Sequence, residues 1–155
     1  MIKFLKIFVW IILIINFYKI SYSNENFYDE GVKMFKSTKY EEAKFLFERK
    51  IVIDPKHSDS YLYLAKIYKQ IDDQKNEEKN LETALLINPE NEEAILMLME
   101  IGIKKTNYSK VKELSERLTK ICKNLCKKNI QILKELENLE PKNESWYKFR
   151  QNLNN

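Results

Sequence analysis

Apolar residues recur along most of this chain at the spacing of a helix face. In residues 61–68, Tyr61, Leu64, Ala65 and Tyr68 fall at i, i+3, i+4 and i+7, the signature of an amphipathic helix. Leu81, Ala84 and Leu85, with the adjoining Ile87, repeat the pattern one segment later. Residues 126–139 are predicted as a further amphipathic helix with Ile130, Leu133 and Leu136 inward, joined by Ile132 and Leu139. Pro141 ends that helix, and Trp146, Phe149 and Leu153 give a last short one over residues 144–153. The first 23 residues differ in kind: Lys3 and Lys6 precede an apolar run over residues 7–15, and Ser21, Tyr22 and Ser23 close the segment. That order is the order of an export signal, and cleavage after Ser23 is expected. A membrane span needs roughly 20 apolar residues, whereas Asn16 interrupts this run and Lys19 follows. An uncleaved N-terminal anchor is the alternative, because Phe17, Tyr18 and Ile20 lengthen the apolar stretch; membrane contact is expected only in that case.

The pattern itself repeats. Pro55 and Pro89 lie 34 residues apart, each closing a similar segment. A shift of 34 also superimposes Phe27, Tyr61 and Ile95; Ile53, Ile87 and Ile121; Gly31, Ala65 and Met99; Met34, Tyr68 and Gly102; and Tyr40, Gln74 and Tyr108. A fixed period of this length belongs to arrays of helical hairpins, in which one pair cannot cover its own apolar face and neighbours share a core. Small residues at Gly31, Ala43, Ala65 and Ala84 let helix axes approach, and each proline stops one helix before the next.

On these residues the chain resembles the tetratricopeptide repeat (TPR) family. Phe27, Gly31, Tyr40, Ala43, Phe47 and Pro55 match the family pattern in residues 24–57. Tyr61, Leu64, Ala65, Tyr68, Leu81, Ala84 and Pro89 match it in residues 58–91, with a departure at Glu77, where a small residue is expected. Residues 92–125 form a degenerate third copy, with Ile95, Leu98, Val111, Leu118 and Ile121 in core places but Gly102 for the aromatic and Lys123 for the proline. The resemblance implies an all-α fold: an α-solenoid of three helix-turn-helix repeats behind a signal peptide at residues 1–23. Residues 126–155 then supply a capping helix and a short terminal helix. A divergent fourth repeat is the alternative, although Pro141 is out of phase with Pro89.

Composition narrows the chemistry. The 155 residues include only two Gly, three Pro, one His and two Cys, too few for a Gly-rich phosphate cradle, a metal cage or a Cys/His nucleophile pair. His57 with Asp54 and Asp59 reads as a solvated turn histidine and not as a base, since no Ser or Cys nucleophile is close in sequence. Carboxylate pairs such as Glu41-Glu42 and Glu92-Glu93 sit at helix starts, where the helix dipole favours them. No catalytic residue, cofactor or metal is expected, and the chain is read as no enzyme. The formal charge of +4 mostly belongs to the leader: from Asn24 onward 24 basic residues face 23 acidic ones. Residues 24–103 hold 11 basic and 17 acidic groups, and residues 104–155 hold 13 and six, so the body is acidic and the C-terminal part basic.

Cys122 and Cys126 flank the expected turn after the third repeat. In an unbroken helix their Cβ atoms would stand about 5 to 6 Å apart, too far for a disulfide. Across a turn they can meet, and both a structural disulfide and two free thiols stay open. The family resemblance implies a partner-binding groove lined by the first helix of each repeat. Its phases fall on Tyr28, Val32, Phe35 and Lys36, on Leu62, Lys66, Lys69 and Gln70, and on Leu96, Glu100, Ile103 and Lys104. The expected function is a non-catalytic adaptor or scaffold of the cell envelope, exported to a bacterial periplasm or else secreted. It would grip a protein, as a peptide or helix, and no nucleic acid; the partner's identity and the oligomeric state stay open. The alternative is a membrane-surface or anionic-ligand module working through Lys104-Lys105, Lys127-Lys128 and Arg150.

Overall fold

The computed structural model describes residues 27–139, together with Trp10 and Gln151. Seven helices run through the described region: α1 (Phe27–Lys36), α2 (Tyr40–Ile53), α3 (Ser58–Gln70), α4 (Gln74–Ile87), α5 (Glu92–Lys104), α6 (Tyr108–Ile121) and α7 (Cys126–Leu139). No strand occurs among the described residues. The helix expected over 144–153, with Trp146, Phe149 and Leu153, lies outside them except for Gln151, and so does the expected signal segment over 1–23 except for Trp10. Among the described residues no helix is long and apolar enough to cross a membrane.

The period of 34 is written into the backbone. Among the described residues, Thr38, Asp72 and Thr106 are the non-glycine residues with positive φ, at 59°, 59° and 55°, and they stand 34 apart. Each sits just after the first helix of a hairpin, in the left-handed conformation that closes a helix by two reversed hydrogen bonds. The N–H of Thr38 donates to Phe35 and that of Lys39 to Met34; Asp72 and Asp73 donate to Lys69 and Tyr68, and Thr106 and Asn107 to Ile103 and Gly102. The residue that ends one helix then begins the next. Asp73 accepts the N–H of Asn76 at 3.1 Å, and Asn107 accepts that of Lys110 at 3.2 Å. Such caps satisfy N–H groups that a helix start leaves without partners. Lys39, at the same phase, has no side-chain cap.

Two compact units emerge. In the first, α1 and α2 pair through Gly31, where a Cβ would come within 2.8 Å of the Phe47 ring, so glycine sets the closeness of the two axes. Ala43 and Phe47 are fully buried there. In the second unit, α3 packs on α4, α4 on α5, α5 on α6, and α7 lies against both α5 and α6. Helix α5 is the centre: Ala94, Ile95, Leu96, Met97, Leu98, Met99, Ile101 and Gly102 are all buried, leaving it apolar on nearly every face. Gly102, which replaces the family's aromatic, faces Val111, and a Cβ there would come within 2.7 Å of Val111 Cγ2. Val111 of α6 fills the space beside it.

Helix α7 corrects one expectation and sharpens another. Its buried residues are Asn129, Ile132 and Leu136, whereas Ile130 and Leu139, expected inward, are exposed and Leu133 is half-buried. A polar lock chooses this register. Asn129 Oδ1 accepts from the Ser115 hydroxyl at 2.9 Å, and its Nδ2 donates to Thr119 Oγ1 at 3.0 Å and to the Ser115 carbonyl at 3.3 Å. A hydrophobicity count ranks Ile above Asn at an inward position, but a fully paired amide is well tolerated there. The helix also starts in phase, because α3, α5 and α7 begin at Ser58, Glu92 and Cys126. It therefore stands where the first helix of a fourth hairpin would.

Candidate functional site

Helices α3 and α5 present the residues expected to line the groove in the second unit, and side chains link them directly. Lys66 bonds to Glu93 at 2.8 Å and Lys69 to Glu100 at 2.6 Å. Lys66 also lies 4.6 Å from the Tyr63 ring, a cation–π contact that orients it. Gln70, Glu100 and Lys104 are exposed and Ile103 is half-buried. Leu62 and Leu96 are only 6% and 4% exposed, so they form the floor beneath these charges and belong to the core. Both sit where the groove phase meets the apolar stripe, and in the second unit the stripe wins.

The first unit shows a different balance. Tyr28, Val32 and Phe35 are half-buried, and Lys36 is exposed. The Tyr28 ring centre lies 5.9 Å from that of Phe47, and Phe35 lies 5.6 Å from Tyr40. These rings pack within their own hairpin, which accounts for an apolar row that solubility alone does not require.

Glu77 on α4 is the departure from the repeat pattern with most chemical content. Ala43 and Val111 occupy its phase in the other two hairpins and are fully buried. Glu77 is 4% exposed and, among the described residues, makes no side-chain hydrogen bond or ion pair. Burial holds its carboxyl above the ordinary glutamate range, while Lys69 and Lys104 pull the other way and Glu100 and Asp72 add to the rise. Its neighbour Glu78 behaves oppositely: hydrogen bonds from Lys105 and Lys110 hold it low against a small burial cost. Lys110 also reaches Glu82 at 2.9 Å; burial disfavours its charge, but the bonds to Glu82 and Glu78 outweigh that and raise it.

The basic C-terminal part is divided. Lys105 is committed to Glu78, Lys127 and Lys128 are exposed in the first turn of α7, and Arg150 lies outside the described residues. Cys122 and Cys126 are joined as a disulfide spanning the turn between α6 and α7. Within that turn the Glu92 carboxylate accepts the N–H groups of Lys123 at 2.8 Å, Asn124 at 3.1 Å and Leu125 at 2.8 Å. The phase that precedes each first helix holds His57, Asn91 and Leu125. His57 Nδ1 accepts the N–H of Ser60 at 3.2 Å and Asn91 accepts that of Ala94 at 3.0 Å. The histidine set aside as a solvated turn residue is thus a helix cap. Leu125 has no acceptor to offer, and Glu92 supplies one from the start of α5. No group of His, Cys, Asp and Glu among the described residues could hold a metal ion.

No family model matches the sequence, and no curated protein matches it. Among solved structures the fold is similar to the crystal structure of the Sgt2 TPR domain from Aspergillus fumigatus. The TM-score is 0.63 at 17% identity, covering 79% of this chain and 87% of that one. With helical hairpins that recur every 34 residues, each closed by the same left-handed turn, the chain is TPR-like in fold.

Proposed function

We propose that this protein is a non-catalytic adaptor that binds a protein partner on the α3–α5 face, working after export in the cell envelope. The observation that carries the reading is the composition of that face. Lys66, Lys69, Gln70, Glu100 and Lys104 stand side by side on two adjacent helices, over a closed apolar floor at Leu62 and Leu96. Cross-helix ion pairs of this exposed kind add little stability, about 0 to 1 kcal/mol each, so folding alone gives a weak reason for the arrangement. Directional charges on a rigid scaffold suit recognition, where complementarity sets register and partner choice. The export signal at residues 1–23 supports the compartment. A pull-down from the native envelope tests the reading with two charge-reversed forms, Lys69→Glu/Lys104→Glu on this face and Lys75→Glu/Lys79→Glu on exposed α4 positions. Loss of the captured protein with the first pair and retention with the second is expected; equal capture by both would refute it.

A second reading has one observation in its favour. Helices α1 to α5 each carry an acid in the first turn, whereas α6 and α7 carry none, and Lys120, Lys123, Lys127 and Lys128 crowd the turn between those two. Anionic surfaces would be attracted there. Binding of this kind falls steeply with salt, whereas the α3–α5 face should keep most of its affinity.

A further inference from the structure

Lys69 has two carboxylates within its reach of influence. It bonds to Glu100 at 2.6 Å across α3 and α5, and it is the foremost cation acting on the buried Glu77 of α4. The charged groups facing Glu77 are Lys69 from α3, Asp72 from the α3–α4 turn, and Glu100 and Lys104 from α5. Glu78 and Glu82, further along α4, are already engaged by Lys105 and Lys110 and do not compete. With Glu77 protonated, the two lysines, Asp72 and Glu100 balance to zero. With Glu77 ionised, the cluster holds one surplus negative charge, part of it in a buried position that lacks a hydrogen-bond donor.

A buried charge without a partner is costly, more so than an exposed ion pair is favourable. Ionisation of Glu77 therefore gives Lys69 a stronger claimant than the exposed Glu100. We propose that Glu77 is a proton-operated selector on the α3–α5 face: protonated, it leaves Lys69 bridged to Glu100; ionised, it draws Lys69 inward and leaves the Glu100 carboxylate open. The face then offers a partner a neutral bridge beside Lys104 at lower pH and an additional free anion at higher pH. That a partner meets this face rests on the adaptor reading; the exchange of Lys69 between carboxylates does not.

The test is a double-mutant cycle in the full chain, with Lys69→Met and Glu100→Gln, reading the unfolding equilibrium constant by urea titration. It is run at one pH below and one pH above the Glu77 transition, which lies above the ordinary glutamate range. At the lower pH the Lys69–Glu100 coupling should change the constant by about threefold, the range of an exposed pair. At the higher pH the coupling should fall to nearly onefold. In a Glu77→Gln background, which keeps the shape and removes the titration, it should stay the same at both. Carbon-13 NMR of the Glu77 carboxyl in the wild-type chain fixes where the transition lies. Coupling that does not change with pH in the wild type, or that changes equally in Glu77→Gln, overturns the proposal. The cycle involves no partner, so its failure is distinguishable from failure of the adaptor reading.

Discussion

Glu92 and Leu125 stand 33 residues apart in the chain, and the carboxylate of the first accepts the backbone N–H of the second at 2.8 Å. The same carboxylate holds the N–H groups of Lys123 and Asn124, so one side chain at the start of α5 fixes the whole turn that leads into α7. The backbone bond from Lys123 is the foremost reason that its carboxyl lies below the ordinary glutamate range, the other two amides adding to it against a small burial cost. A depressed carboxylate contributes stability at neutral pH and loses it as the pH falls through its folded-state value. Glu92→Gln should therefore loosen the turn by about 1 kcal/mol, the scale of a lost cap. Hydrogen exchange at the Lys123, Asn124 and Leu125 amides measures it. Faster exchange in the variant, and in the wild type on acidification, is expected; unchanged protection would show that the carboxylate is not the anchor.

The disulfide spans the same turn, closing a loop of five residues. In the chain-entropy model so short a loop contributes about 2 kcal/mol. Unreduced, denatured protein should show no free thiol, and the Cys122→Ser/Cys126→Ser chain should unfold more easily by that amount, with α7 the first to lose amide protection. Two thiols per chain in the unreduced protein would contradict the pairing.

Gly102 and Val111 divide one volume between two helices, with room for a Cβ on α5 only if the valine gives way. Alanine raises helix propensity by roughly 1 kcal/mol, but overpacking costs about 1 to 3 kcal/mol. Gly102→Ala should be net destabilising, and Gly102→Ala/Val111→Ala should recover part of the loss. Thermal denaturation of the two variants decides; a Gly102→Ala chain as stable as the parent would mean that the contact is not tight.

Asn129 and Ile130 reverse the usual ranking of amide and aliphatic. Asn129→Ala strands the buried Ser115 hydroxyl, which donates to Asn129 Oδ1, at a cost of about 1 to 3 kcal/mol. Ile130→Ala alters a side chain that is 53% exposed and should stay within about 0.5 kcal/mol. Equal losses by chemical denaturation would restore the register in which Ile130 points inward.

What was legible in the sequence follows physical lines. Tyr40, Gln74 and Tyr108, which a shift of 34 superimposes, are the first residues of α2, α4 and α6, because apolar periodicity and a repeat spacing are both local signals. The groove phases were legible as helix positions but not as surfaces. Leu62 and Leu96 are closed over because exposure depends on neighbouring helices, which phase alone does not describe. Asn129 was missed because its justification lies in Ser115 and Thr119 on another helix. Glu77 did leave a trace, as a charged residue at a small-residue phase; the burial that gives it chemical meaning came only with three dimensions.

The central claim is that the α3–α5 face is where a partner docks. Photo-crosslinking in intact cells tests it most directly, with a photoreactive phenylalanine placed singly at Gln70 or Lys104 on that face and at Lys79 or Glu113 on exposed positions of α4 and α6. One and the same protein crosslinked from Gln70 and Lys104, and absent from Lys79 and Glu113, is the result expected. Crosslinking from Lys79 or Glu113 alone, or equally from all four, would contradict the account.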